Sequence, residues 1–289
     1  MNSNNRSGKI KDYLMYALIY ICAGFSVILL VGIILYVFAK GIKTVDWSFL
    51  TSVTSVLKGT KGIAGNIVNT LIIILITMVI ATPIGIGSAI YLNEYAKPGK
   101  LVSIIEYATE TLAGIPSIIF GLFGMMFFVE KLKLGYSLLA GSFTLILMIL
   151  PLITRNTQEA LKTVPASYRS GAIGLGSGKW HMIRTILIPS AMPGIITGVI
   201  LAIGRIVGES AALLLTAGSA KLLPQTFEQL LKKPTQSGGT LTIQMYLSAT
   251  SEGDFDTAFG IAAVLLVIVL LINIGTKALT RHFDVSRKD

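Results

Sequence analysis

Six apolar stretches constrain this chain more than any other feature, because each is long enough to cross a bilayer, which takes about 20 residues. They run from about Tyr13 to Ala39, Ile67 to Leu92, Leu112 to Val129, Ser137 to Ile153, Pro193 to Ala217 and Phe259 to Leu279. Lipid offers no partner for open backbone groups, so each is expected to be a helix. The predicted fold class is all-α, a polytopic membrane protein with six transmembrane helices. Residues 1–12 form a short tail and residues 13–289 one membrane domain. Composition agrees: 53% of residues are hydrophobic and 13% charged, against roughly 25% charged in an average soluble domain. So little charge cannot cover a water-soluble globule. The first stretch is too long for a signal-peptide core of about 7–15 residues and lacks a small-residue cleavage site, so it reads as a retained helix.

The net charge of +10 would suggest nucleic acid in a soluble protein; in a membrane protein it reads as topology. With the N-terminus inside, the inner face holds 14 basic residues, among them Arg6, Lys9, Lys11, Arg155, Lys162, Arg169, Lys179, Arg184, Arg287 and Lys288. The outer face holds 9, among them Lys40, Lys43, Lys58, Lys61, Lys221, Lys232 and Lys233. This bias places both termini in the cytoplasm. Cys22 stands alone and His181 and His282 lie far apart, so no disulfide or metal-ligand spacing is present. Gly194 and Gly198 form a GxxxG pair, which suits close approach of helices; ordinary packing within the chain accounts for it.

Between the fourth and fifth stretches, residues 155–189 are too polar for lipid and too patterned for a loose linker. Pro165 suits the start of a helix over Ala166–Leu175. Gly176 suits a left-handed cap, and Ser177 an N-cap for a second helix carrying Trp180 and Ile183. Such a helix–turn–helix fits either a docking surface or an interfacial amphipathic linker. The run Gly174-Leu175-Gly176-Ser177-Gly178-Lys179-Trp180 imitates a phosphate-binding loop but fails its pattern, since Ile173 stands where the first Gly belongs and Trp180 where Ser or Thr belongs. No nucleotide site is expected on this chain.

Arg205 and Glu209 fall within the fifth stretch, four residues apart, so on a continuous helix they share a face and can pair. A charge at mid-bilayer costs about 2.5–3.5 kcal/mol on insertion scales and usually marks a bundle interior or an aqueous path. An ion pair that only fixes helix register accounts for the same two residues. Arginine's planar donor fork suits an oxyanion. Pro116 and Pro151 are expected to bend their helices locally. Glu106 and Glu110 form an acidic pair outside the membrane with no catalytic assignment.

The 155–189 segment resembles the EAA loop of ABC-importer permeases, in which Glu-Ala-Ala is followed by three residues, Gly, nine residues and Ile-x-Leu-Pro. Gly176, then Ser177–Thr185, then Ile186-Leu187-Ile188-Pro189 keep that spacing; the opening triplet falls on Ser170, Gly171 and Ala172, and Ile188 replaces Leu. Gly204-Arg205-Ile206-Val207-Gly208-Glu209-Ser210-Ala211 is similar to the fifth-helix signature of phosphate-importer permeases. Thr82–Tyr95, Ala113–Gly121, Val164-Pro165 with Tyr168-Arg169, and Leu241–Phe255 also resemble that family, and Ser-Ala-Ala-Leu-Leu after Glu209 resembles its A-type subunit.

The resemblance implies a type I ABC importer permease fold (MetI-like) and a non-catalytic subunit in a bacterial or archaeal inner or plasma membrane. It implies as partners a homologous second permease, two ATPase subunits that use ATP and Mg, an extracytoplasmic phosphate-binding protein, phosphate itself and membrane lipid, but no nucleic acid. It implies ATPase coupling through Ser167, Tyr168, Arg169, Ser170, Gly171, Ala172, Leu175, Gly176, Ile186 and Pro189. It implies a substrate pathway through Arg205, Glu209 and Ser210, with Arg205 attracting phosphate and Glu209 holding Arg205 in place. No residue is expected to bind a metal or cofactor or to act as a catalyst. The alternatives are a permease for sulfate or molybdate, or a secondary carrier; the carrier explains six helices and a charged pair but not a loop of this spacing.

Overall fold

A computed structural model describes residues 4–55, 60–97 and 99–283. The face-assigned charges Lys58, Arg287 and Lys288, and residues 1–3 of the tail, lie outside the described residues. The elements in order are α1 (Asn4–Gly41), α2 (Trp47–Thr51), β1 (Val53–Ser55), β2 (Thr60–Ile63), α3 (Ala64–Ile90), α4 (Lys100–Ala113), α5 (Ser117–Gly124) and α6 (Leu138–Lys162). They continue with α7 (Ala166–Gly174), α8 (Lys179–Met182), α9 (Ile188–Gly208), α10 (Ala211–Leu214), α11 (Phe227–Lys232), α12 (Leu241–Thr250) and α13 (Phe255–Phe283). Single π-helical turns extend α3 over Tyr91–Tyr95 and α5 over Met125–Lys131, and Ile183–Leu187 joins α8 to α9. The only sheet among the described residues is the antiparallel β1–β2 hairpin, paired Val53 to Ile63.

Five helices are each long and apolar enough to cross a membrane: Lys11–Gly41, Ala64–Tyr95, Leu138–Lys162, Lys179–Gly208 and Phe255–Ala278. The third span in chain order is bent. Lys100–Ala113 and Ser117–Lys131 meet at 102°, so the expected third helix over Leu112–Val129 is corrected: it begins at Ser117. The cause is local. Proline disfavours helical backbone at the residue before it, here Ile115, and Pro116 itself sits at φ −57°, ψ 138°. Upstream, α4 is a separate amphipathic helix whose half-buried Val102, Ile105 and Thr109 follow a helical stripe, packed toward α6. By contrast, α6 runs on as one helix through Pro151.

The centre is α6, 67% of whose apolar stretch is buried, against none of that of α1. Leu145, Ile149 and Ile153 of α6 form one core with Ile73 and Ala81 of α3, Ala202 and Ile206 of α9 and Leu213 of α10. Helices approach closely where glycine removes the side chain. A Cβ on Gly194 would stand 2.6 Å from the Ala160 Cβ, and one on Gly198 2.7 Å from that of Asn156. The GxxxG pair therefore serves packing of α9 on α6 within the chain.

One end of the bundle carries residues 162–189 and is called the loop end. The opposite, hairpin end is stitched by side chains. Asn66 and Asn69 each donate to the Gly239 carbonyl, at 2.9 and 3.0 Å. Lys61 pairs with Asp254, and Lys221 with Glu252 at 3.0 Å.

Replacing Gly198 with Val should cost about 1–3 kcal/mol through overpacking. The thermal midpoint of the detergent-purified protein should fall, whereas Gly87→Ala, whose Cβ meets nothing within 4 Å, should leave it unchanged or higher. Equal midpoints for both variants would contradict this packing assignment.

Candidate functional site: a broken helix and a docking loop

The fifth span does not continue to Ala217. α9 stops at Gly208, and Glu209 takes extended backbone at φ −81°, ψ 124°. The expectation that Arg205 and Glu209 share a helix face is therefore corrected: the helix ends between them. Glu209 is 9% exposed and is held by the chain after the break. Its Oε1 accepts the Ala212 N–H at 3.0 Å, and its carbonyl accepts the Thr242 hydroxyl at 2.9 Å. Ser210 is half-buried at the foot of α10.

Residues 211–217 then pack inside the bundle. A Cβ on Gly121 would meet the Ala212 Cα at 2.8 Å, and one on Gly124 the Thr144 Oγ1 at 2.1 Å and Thr216 Cγ2 at 2.9 Å. Open backbone groups are closed by Ser137 N–H to Thr216 O at 3.1 Å and Gly238 N–H to Ala217 O at 2.9 Å. Irregular backbone inside a membrane bundle is tolerated when protein surrounds it in this way.

Arg205 has a different fate. It lies in the last turn of α9, where a cation complements the helix dipole. Its side chain is exposed, and among the described residues the ion pairs do not include it. The pair expected from the sequence is thus two separate devices: a buried carboxylate that holds the break, and a guanidinium free to meet another group.

At the loop end the structure has a helix and a left-handed glycine cap where the sequence placed them, with α7 ending at Gly174 rather than Leu175. Pro165 precedes α7, and Gly176 takes φ +76°. Gly176 N–H donates to Ile173 O at 2.9 Å and Ser177 N–H to Ala172 O at 3.0 Å, the two bonds of a Schellman cap. Ser177 does not cap the second helix, which is a correction: α8 starts at Lys179, so the N-cap position falls on Gly178, which has no side chain to accept the first N–H groups, and the Ser177 hydroxyl donates to the Gly178 carbonyl at 3.3 Å. Ala172, Met182, Ile183 and Leu187 pack back on Ile90, Leu161 and Val164. Ser167, Ser170 and Gly171 are exposed, while Ile186 and Pro189 are half-buried. Tyr168, Ile173 and Trp180 stand 49, 63 and 60% exposed, and Leu175 90%. Leu175 is the most exposed large apolar side chain among the described residues.

Arg169 turns inward. It donates to Glu94 Oε1 at 2.9 Å from Nη2, and to the Val164 and Leu161 carbonyls at 3.0 Å each. The Glu94 side chain is 6% exposed. Nearby, the Lys179 ammonium lies 4.8 Å from the Tyr95 ring centroid, within cation–π range. Both contacts tie the loop to the π turn that ends the second span. Sequence reasoning missed Glu94; its only signal was a carboxylate at the end of an apolar run, 75 residues from its partner. Glu110 also finds a partner, Arg155, at 3.4 Å on the surface. Among the described residues no three of His, Cys, Asp and Glu gather as a metal site requires.

Breaking the Glu94–Arg169 contact with Glu94→Gln should cost about 1.5–3 kcal/mol, the range for hydrogen bonds to charged groups. A double-mutant cycle with Arg169→Met, read by thermal unfolding, checks it; additive losses would show that the two side chains do not interact.

Comparisons with known proteins fit this geometry. Residues 81–288 match the family described as binding-protein-dependent transport system inner membrane component. A Bacillus subtilis protein named probable ABC transporter permease protein YqgI is 34% identical, covering 93% of this chain and 95% of its own. The phosphate transport system permease protein PstA of Xylella fastidiosa is 32% identical over 83% and 82%, and that of Pasteurella multocida 31% over 94% and 95%. Among solved structures, a bacterial alginate ABC transporter in complex with its periplasmic protein aligns at TM-score 0.68 and 14% identity, covering 96% of this chain and 98% of that one. The inward-facing MetNI methionine ABC transporter aligns at 0.58 and 20% identity, covering 77% and 94%. The chain, a helical bundle with breaks in its third and fifth spans that the family model matches over residues 81–288, belongs to the family of inner membrane components of binding-protein-dependent transport systems.

Proposed function

We propose that this permease subunit serves an importer of inorganic phosphate, and that Arg205 contributes the anion-attracting charge of its path. The observation that carries the reading is the exposed guanidinium at the end of α9, free of any acidic partner among the described residues. A charge costing about 2.5–3.5 kcal/mol in lipid is retained where it meets water, a partner or an anion. Its planar fork suits a tetrahedral oxyanion. Relatives named phosphate transport system permease protein PstA support phosphate. Glu209 contributes by fixing the break that ends α9 beside Arg205, with Ser210 following it.

Under this reading the subunit is of the A type and pairs with a homologous permease. An extracytoplasmic phosphate-binding protein delivers the ion at the hairpin end, and two ATPase subunits dock at the loop end, which with both termini faces the cytoplasm. ATP and Mg belong to those ATPases. Tyr168, Leu175 and the α7 face bearing Ser167, Ser170 and Gly171 form the docking surface, and Gly176 sets the turn that presents it. Arg169, Ala172, Ile186 and Pro189 carry its displacement into the bundle.

Arg205→Gln should lower phosphate uptake by the reconstituted importer at least about tenfold, the loss expected when one charge of a close pair is removed, while the complex still co-purifies. Unchanged uptake at limiting phosphate would refute the role, and uptake of sulfate in place of phosphate would reassign the substrate. Leu175→Glu, and Gly176→Val at about 1–2 kcal/mol of left-handed backbone strain, should each reduce recovery of the ATPase with the permease. Full recovery with normal transport would refute docking at this loop.

A further inference from the structure

At the hairpin end, the segment between α10 and α12 holds a second cation that the proposed path does not use. Lys233 is 1% exposed, the largest fully buried side chain among the described residues. Among the described residues its Nζ has no hydrogen-bond partner. An ammonium carries three donors and no acceptor, and its burial without a counter-charge is among the least favourable arrangements a protein adopts. The acids near it in sequence are already engaged: Glu228 pairs with Lys232 at 2.6 Å, and Glu252 with Lys221 at 3.0 Å.

Lys233 lines a cleft of about 400 Å³ together with Gln225, Gln229, Gln236 and the apolar Leu222–Pro224 edge. Among the described residues no carboxylate lines it. The amides are pre-set as donors in part. Gln229 Oε1 accepts the Gln225 N–H at 2.8 Å, which commits the oxygen and leaves the Nε2 end uncommitted. The backbone under the site is fixed. Gln236 N–H donates to Lys233 O at 3.0 Å, and Gln236 O accepts the N–H of Leu138, the first residue of α6, at 3.0 Å.

We propose that this cleft is an oxyanion site, with the Lys233 ammonium as its charge and the glutamine amides as its additional donors. A cation plus neutral donors, with no acid in the wall, selects against cations and for a small anion with several oxygens. Burial pushes the Lys233 amine below its ordinary value, and an anion in the cleft would reverse that shift by favouring the charged form. The site lies at the end where the proposed path takes in its ion, tied through Gln236 to the start of α6. It rests on the proposed function only for the choice of phosphate as probe. It would hold the ion at the entrance, apart from Arg205.

The test uses the full chain in zwitterionic-lipid nanodiscs. Binding of inorganic phosphate to the wild-type protein, read by equilibrium dialysis, should weaken about tenfold with Lys233→Met and stay unchanged with Lys232→Met. The same loss should appear when Lys233→Met is added to the Arg205→Gln chain, so the two cations are read apart. Lys233-dependent binding of sulfate but not phosphate would support the site and count against phosphate as the transported ion. Phosphate binding that Lys233→Met leaves unchanged, or binding that requires anionic lipid and ignores dissolved phosphate, would overturn the site. Arg205-dependent phosphate uptake would in that case leave the proposed function standing.

Discussion

Backbone hydrogen bonds that cannot be given to lipid govern this molecule. Helices satisfy them internally, so every departure from helix must be closed by something specific, and the departures are where the chain does more than span. At the end of α9 the backbone leaves helical geometry at Glu209, and the loss is made good by the Glu209 carboxylate on Ala212, the Thr242 hydroxyl on the Glu209 carbonyl, and the Ser137 and Gly238 amides on residues 216 and 217. A carboxylate is suited to this task because one oxygen can take a backbone N–H strongly while the group stays anchored by its own main chain. The consequence is that Glu209 is not available to neutralise Arg205. A helix that ran straight through would have paired the two charges; the break separates them and leaves the cation exposed.

The same requirement shapes the third span. Pro116 removes a donor and excludes helical backbone before it, so α4 cannot stack on α5 and folds away at 102°. It remains an amphipathic helix lying against α6, with Arg155 of α6 reaching Glu110 across the contact. The apolar Leu101, Ile104 and Tyr107 face outward at 63 to 73% exposure, which suits a helix at a membrane surface or a subunit contact rather than one crossing as an extension of the third span.

How far the sequence anticipated this depends on the range of the interaction. Apolar runs are local and cumulative, and all six were legible, but only the first, second and sixth match within a few residues at both ends; α6 runs nine residues past the expected Ile153 and α9 stops nine before Ala217. The Schellman turn was legible because a glycine at position 176, at the end of the helical stretch, adopts φ +76° without strain. The breaks were harder. Gly208 and Pro116 were visible, but whether a glycine or proline ends a helix depends on what closes the freed groups: Pro83, Pro151 and Pro193 sit inside continuous helices. Glu94 with Arg169, and the isolation of Lys233, join or separate residues far apart in sequence. No periodicity encodes such contacts, and single-residue chemistry supplied only the candidates.

The Arg169–Glu94 contact bears on how a docking event at the loop would reach the rest of the bundle. A loop joined to the spans only by its ends could tilt without moving them. Here α7 is fastened in its middle. Arg169 grips the Leu161 and Val164 carbonyls at the end of α6 and the Glu94 carboxylate at the end of α3 at once, and Ala172 packs against the same region. Under the proposed docking, a displacement of α7 would act on α6, the most buried helix, on α3, which packs along it, and on α9 through the π turn Ile183–Leu187. Packed interiors transmit small shifts because they are close to incompressible, and α6 carries Asn156 and Ala160 against Gly198 and Gly194 of α9 with no slack. A rigid-body shift of α3, α6 and α9 together is thus easier than sliding among them, and the end of α9 with Arg205 would move with its helix rather than independently of it.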